Sequence, residues 1–376
     1  MTPTTQRTPW TQRLSGSGRS DGAATSERLA AIPVRAETFF TGHTARHSTQ
    51  KPQNSQNKTG FLCGFREFCV DRRGWGYQKV MQIIEVGCGD PLVLIPGIQG
   101  RWEYMRPAIE ALAASFRVIT FPLCGEPDSQ SALDPSKGLD NYVAQVIAAL
   151  DAKQIERAAI CGVSFGGLVA LRVGACHPDR VAALILASTP APQWHLRRRH
   201  QVYARAPWIF GPVFLAESPW RLRAEIAAAM PDRRRRWSFR RAVLQTFAAA
   251  PVSVARMAAR ARLIDGIDMR GECAAVTAPT LIITGEHLLD HIVPANGSSA
   301  YTELIPNARA VVLERTGHLG SITRPDAFAA LVCEFVNRTP TEGYGRPTPT
   351  EGYGGNGSTQ RNGATETNGR KDGYIY

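Results

Sequence analysis

At 376 residues, with 43% hydrophobic and 20% charged content, the chain has enough apolar residues for one large core with appendages. No apolar run approaches the roughly 18 residues of a membrane span, so a soluble protein without a transmembrane segment is expected. The net charge of +12 raises nucleic acid or an anionic surface as partners, but the arginines gather in the N-terminal stretch and between about 190 and 270, and no RNP, zinc-finger or P-loop pattern accompanies them, which argues against nucleic acid.

Residues 1–77 carry no sustained period of 2 or 3.6 and are rich in Ser, Thr, Gln, Gly and Arg, the composition of a disordered leader. They lack the apolar h-region and small-residue cleavage site of a secretory signal, so a cytoplasmic protein is expected. Met81 stands at the threshold of the first convincing strand and is a candidate natural start. Deleting residues 1–77 should leave the melting temperature and activity nearly unchanged, and a large drop in melting temperature would show the leader to be packed. The eight cysteines (Cys63, Cys69, Cys88, Cys124, Cys161, Cys176, Cys273 and Cys333) are scattered without CxxC pairs, which reads as buried free thiols in a reducing compartment.

From there, apolar strand-like runs alternate with helical patterns, the signature of βαβ units and a mainly parallel sheet. The spacing predicts strands at Gln82–Val86, Leu92–Ile95, Arg117–Phe121, Ala158–Cys161, Ala183–Ala187, Thr280–Thr284 and Ala308–Leu313. The first two are joined by Gly87 to Pro91, a hairpin-like turn, and its GxG is weak evidence for a dinucleotide site because it precedes a strand. The segment 190–268 reads as helical, with Trp194, Trp208, Phe210, Phe214, Trp220, Trp237, Phe239 and Phe247 expected mostly in its own core. Beyond residue 338 the segment TPTEGYG occurs at 339–345 and again at 348–354, followed by a Gly, Asn and Thr-rich stretch that reads as a flexible low-complexity tail.

The most specific signal is Gly162-Val163-Ser164-Phe165-Gly166, a G-x-S-x-G between an apolar strand and the helical stretch Leu168–Cys176. A serine at such a turn is presented above the sheet, and the following helix N-terminus favours developing negative charge. Its hydroxyl is nearly unreactive at neutral pH without an imidazole to take its proton. Among eight histidines, His318 follows the strand near Val311 and precedes a helix near Asp326 to Val336. His177 reads as a turn residue, and His43, His47, His195 and His200 as solvated.

At these residues the chain resembles the α/β-hydrolase family, over about residues 80–338. The resemblance implies an α/β-hydrolase fold, a mainly parallel sheet flanked by helices, with core at 78–189 and 269–338 and a helical lid at 190–268. It implies Ser164 as nucleophile and His318 as general base. Leu92 to Gly100 looks like the family's oxyanion loop, with Pro96 where many members carry His. The carry-over makes the backbone N–H groups of Ile98 and Phe165 the oxyanion donors. For the acid, Asp290 keeps the family's spacing to Pro294, but the loop after Gly285 is about two residues longer than usual, so Glu286 stays a rival.

The resemblance therefore implies a serine hydrolase acting on a small to medium ester or lactone through an acyl-enzyme. A Ser in place of an Asp nucleophile argues against haloalkane dehalogenase and epoxide hydrolase chemistry. A carbon–carbon bond hydrolase, a cofactor-free perhydrolase and a catalytically silent binding protein on the same scaffold remain open. No HExxH or CxxC cluster calls for a metal, and no cofactor is required. The lid arginines read first as a solvated arginine face, with a preference for anionic substrates or acidic surfaces as the second reading.

Overall fold

The computed structural model describes residues 81–131, 133–293 and 299–339. The leader, the tail beyond Thr339, Cys63, Cys69, His43, His47 and Pro294 lie outside the described residues.

Among the described residues the strands are β1 (Ile84–Val86), β2 (Asp90–Ile95), β3 (Phe116–Thr120), β4 (Ala158–Val163), β5 (Val181–Ala187), β6 (Gln193–Trp194), β7 (Ile267–Asp268), β8 (Thr280–Thr284) and β9 (Ala308–Val312). The helices are α1 (Arg106–Leu112), α2 (Asp140–Ala152), α3 (Phe165–Cys176), α4 (Arg198–Arg205), α5 (Pro207–Arg221), α6 (Arg223–Ala229), α7 (Arg233–Ala249), α8 (Val254–Leu263), α9 (Arg270–Ala275), α10 (Ser299–Leu304), α11 (Gly320–Thr323) and α12 (Pro325–Arg338).

The apolar runs of β2, β4, β5 and β8 are continuous because both faces of their sheet are covered. Side chains alternate between two cores. Val93, Ile95, Ile160, Leu184 and Ile282 face a layer that includes α2 and α3, whereas Leu92, Leu94, Cys161, Ile185 and Ile283 face α1 and α12. The sheet order is β1-β3-β2-β4-β5-β8-β9, parallel throughout except for β1, which runs antiparallel to β3. This is the expected α/β-hydrolase fold.

One connection departs from expectation. Gly87 to Pro91 makes no hairpin between β1 and β2, because β3 lies between them and pairs with both. Gly87 (φ 83) and Gly89 (φ 111) bend the chain as a turn signal requires, but turn chemistry does not state which strands become neighbours.

After β5 the chain leaves the sheet for a helical insertion of α4 to α8. Antiparallel pairing of β6 with β7 closes its base, reinforced by Met269 N–H donating to Pro192 O at 2.8 Å and Leu196 N–H donating to Asp265 Oδ1 at 2.9 Å. Its aromatic residues are not mostly core. Trp208 and Trp220 are exposed because α5 is apolar on both sides and only one side packs inward, and Trp237 and Phe247 are exposed on α7, none of whose residues is buried. His200 is half-buried and not solvated, with its ring 6.3 Å from Tyr203 and 6.5 Å from Phe214. The thiols also divide. Cys124, Cys161 and Cys273 are buried, and burial pushes Cys124 and Cys273 up to about 12, whereas Cys88 in the β1–β2 loop and Cys176 at the end of α3 are exposed.

Candidate active site

Ile98, Ser164, Asp290 and His318 follow β2, β4, β8 and β9 respectively, so parallel pairing carries all four to the C-terminal edge of the sheet, where open α/β sheets form their crevice. Ser164 occupies φ 55, ψ −118, a left-handed conformation that costs a non-glycine residue on the order of 1–3 kcal/mol. Two anchors hold it there. Ser164 N–H donates to Ala187 O of β5 at 2.8 Å, and Gly167 N–H donates to Ser164 O at 2.9 Å. The turn closes only with glycine on either side, because a Cβ at Gly162 would lie 2.1 Å from Gly166 O and one at Gly166 would lie 2.4 Å from Ile95 O.

His318 Nε2 lies 3.1 Å from Ser164 Oγ. Its loop is drawn close to the segment bearing Asp290: a Cβ at Gly317 would meet Leu289 O at 2.4 Å. Asp290 Oδ2 lies 3.5 Å from His318 Nδ1, and that nitrogen has no hydrogen-bonding partner, so the contact is an ionic approach one step short of a hydrogen bond. Such contacts commonly tighten when substrate binds. Asp290 Oδ1 accepts the N–H groups of Ile292 at 2.9 Å and Val293 at 2.8 Å. Burial pushes the Asp290 carboxyl up, but the imidazole and these two amides outweigh it and hold the group below its ordinary value. Glu286 is turned elsewhere, its Oε1 accepting Arg315 N–H at 2.6 Å.

Phe165 opens α3, so its N–H has no partner within the helix. The Ile98 loop runs beside the nucleophile, a Cβ at Gly97 falling 3.6 Å from Ser164 Cβ. The structure thus brings Ser164, His318 and Asp290 into one line, with the Ile98 loop and the start of α3 beside the serine.

Two side chains of the insertion, neither marked by any motif, reach this edge. Arg260 of α8 is buried and donates to Ile98 O at 3.1 Å and to Glu126 Oε1 at 2.7 Å, while Arg256 takes the other Glu126 oxygen at 2.9 Å. Glu225 of α6 is buried and accepts Leu319 N–H at 2.5 Å, one residue past His318, while its Oε2 is unpartnered. Burial raises the Glu225 pKa, and the amides of Gly317 and Leu319 only partly offset it. Contacts separated by 94 and 134 residues leave no local spacing by which they could be read.

The strand order, the strained serine and the histidine beside it agree with the family to which the sequence is similar: a family model described as alpha/beta hydrolase fold matches residues 90–325. The chain belongs to the α/β-hydrolase fold family. Among its relatives within that family is the 2-hydroxymuconate semialdehyde hydrolase of Pseudomonas sp. (strain CF600), 30% identical over 261 residues, covering 66% of this chain and 88% of that protein. Similar solved structures include the meta-cleavage product hydrolase of Pseudomonas fluorescens IP01 (TM-score 0.53, 26% identity, 68% of this chain and 94% of that one). The enol-lactonase of Burkholderia xenovorans LB400 shares the fold (TM-score 0.53, 24% identity, 68% and 96%). The chain is an enzyme of the α/β-hydrolase type.

A pH prediction arises at Glu225. Its folded-state pKa lies above the ordinary 4.5, so the folded chain holds a proton that the unfolded chain releases, and stability falls as pH rises from 4.5 through the shifted value. Glu225→Gln keeps an acceptor for Leu319 N–H and removes the titration. The melting temperature of the variant relative to wild type should therefore rise between about pH 4 and pH 8. Parallel curves over that window would contradict a buried, proton-holding Glu225.

Proposed function

We propose that this α/β-hydrolase cleaves a carboxylic ester or lactone of small to medium size through an acyl-enzyme on Ser164. The observation that carries the reading is the 3.1 Å approach of His318 Nε2 to the hydroxyl of a serine held at positive φ. Ser164 Oγ attacks the acyl carbon as its proton passes to His318 Nε2. The N–H groups of Ile98 and Phe165 receive the developing oxyanion. Collapse expels the alcohol, protonated by His318, and water activated by the same imidazole releases the acid. Asp290 orients the ring and stabilises its charged form. The helical insertion acts as a lid, with Glu225 and Arg260 supporting the loops of His318 and Ile98 from above. We place the reaction in the cytoplasm on a small-molecule substrate.

A second reading, hydrolysis of a carbon–carbon bond, is favoured by one observation: the 30% identity to a 2-hydroxymuconate semialdehyde hydrolase. An ester, lactone and carbon–carbon substrate panel run on wild type beside Ser164→Ala separates the readings by their products. Ester or lactone turnover that vanishes in Ser164→Ala supports the first. Turnover of the carbon–carbon bond substrates alone supports the second, and activity retained in Ser164→Ala contradicts both.

A further inference from the structure

The solvent side of α5 has no polar residue. Trp208, Pro212 and Ala216 recur every four residues, with Ile209, Val213 and Trp220 beside them, and every exposed residue of this helix is apolar. Trp208, Ile209 and Trp220 are 79%, 69% and 65% exposed. A soluble surface rarely leaves such a patch without a partner. α7 presents a related face: none of its residues is buried, and Trp237 and Leu244, seven positions apart, are exposed with Arg234 and Arg241 among them.

Charge identifies what covers the α5 face. Between Arg197 and Leu263 the chain has fifteen arginines against three acidic residues (Glu217, Glu225 and Asp232), and although Arg256 and Arg260 are taken up by Glu126 the segment keeps a strong positive excess. Arg223 sits over the Trp220 ring at 4.7 Å, placing a guanidinium at the patch edge. A two-fold contact between copies would set the basic insertion of one copy against that of the other. A surface that is apolar below and anionic above complements both features, and tryptophan with arginine is the composition of a helix lying in a bilayer interface. Among the described residues no single helix is long and apolar enough to cross a membrane.

We propose that α5 is a docking face by which the protein sits on an anionic bilayer, with Trp208, Ile209 and Trp220 entering the headgroup boundary while Arg223 and other exposed arginines of the insertion hold lipid phosphates.

The test is co-sedimentation of the full chain with phosphatidylcholine vesicles, with and without phosphatidylglycerol, beside the variant Trp208→Ser/Ile209→Ser/Trp220→Ser, which keeps every arginine. Wild type should bind the phosphatidylglycerol vesicles, more weakly as salt rises, and lipids brominated near the headgroup should quench its tryptophan fluorescence. The triple variant should bind at least on the order of 100-fold more weakly. The proposal is overturned if wild type neither binds nor is quenched, or if the triple variant binds equally tightly, which would leave only diffuse attraction of a basic protein. It is also overturned if the patch proves to be buried in a dimer that the triple variant loses, or if binding emerges only once residues 1–80 are removed.

Discussion

Asp290→Asn is expected to lose turnover on the order of 10⁴-fold, by the precedent of serine proteases, while Glu286→Gln keeps most of it. Asp290 directs Oδ2 toward His318 Nδ1 at 3.5 Å and has Oδ1 fixed by the amides of Ile292 and Val293. An amide in its place still accepts those N–H groups but cannot neutralise an imidazolium. Glu286 spends its carboxylate on Arg315 N–H, a bond that Gln can also accept. Steady-state rates of the two variants on one ester decide the matter, and the opposite ranking would reassign the acid.

The second large effect concerns stability. Glu126 is fully buried at its side chain and holds Arg260, itself almost fully buried, at 2.7 Å. Removing one member of a buried pair strands the other charge, so Glu126→Leu should cost about 3–5 kcal/mol in urea unfolding. Replacing both partners with apolar residues is often nearly neutral, so Glu126→Leu/Arg260→Met should recover most of that loss, Arg256 being exposed enough to turn to water. The double variant should nonetheless hydrolyse more slowly than wild type, because Arg260 also holds the Ile98 carbonyl. A double variant no more stable than Glu126→Leu would mean that the site tolerates no apolar replacement.

Asp290 and Arg260 lie where sequence and structure part. The Ser164 elbow is legible because its signature is local: five consecutive residues carry it, a Cβ at Gly162 would meet Gly166 O of the same turn at 2.1 Å, and the strand and helix on either side are strongly apolar. The strands are legible for the same reason, since burial on both faces writes a continuous run. Asp290 was only half legible, because a longer loop blurs spacing and the direction of a carboxylate is set by packing against the His318 loop. Glu225 and Arg260 were illegible, being ordinary residues of helices whose contacts with the core span more than 90 residues. In α5 the periodicity is real, but with Phe210 and Phe214 less exposed than Trp208 and Ile209, two apolar sides compete and composition does not say which turns inward.

Covalent chemistry at Ser164 is tested most directly by mass spectrometry of the full chain treated with a fluorophosphonate. One adduct is predicted, on the peptide bearing Ser164, absent from Ser164→Ala and formed far more slowly in His318→Ala. An unlabelled wild type, or an adduct on another residue that persists in Ser164→Ala, would contradict it.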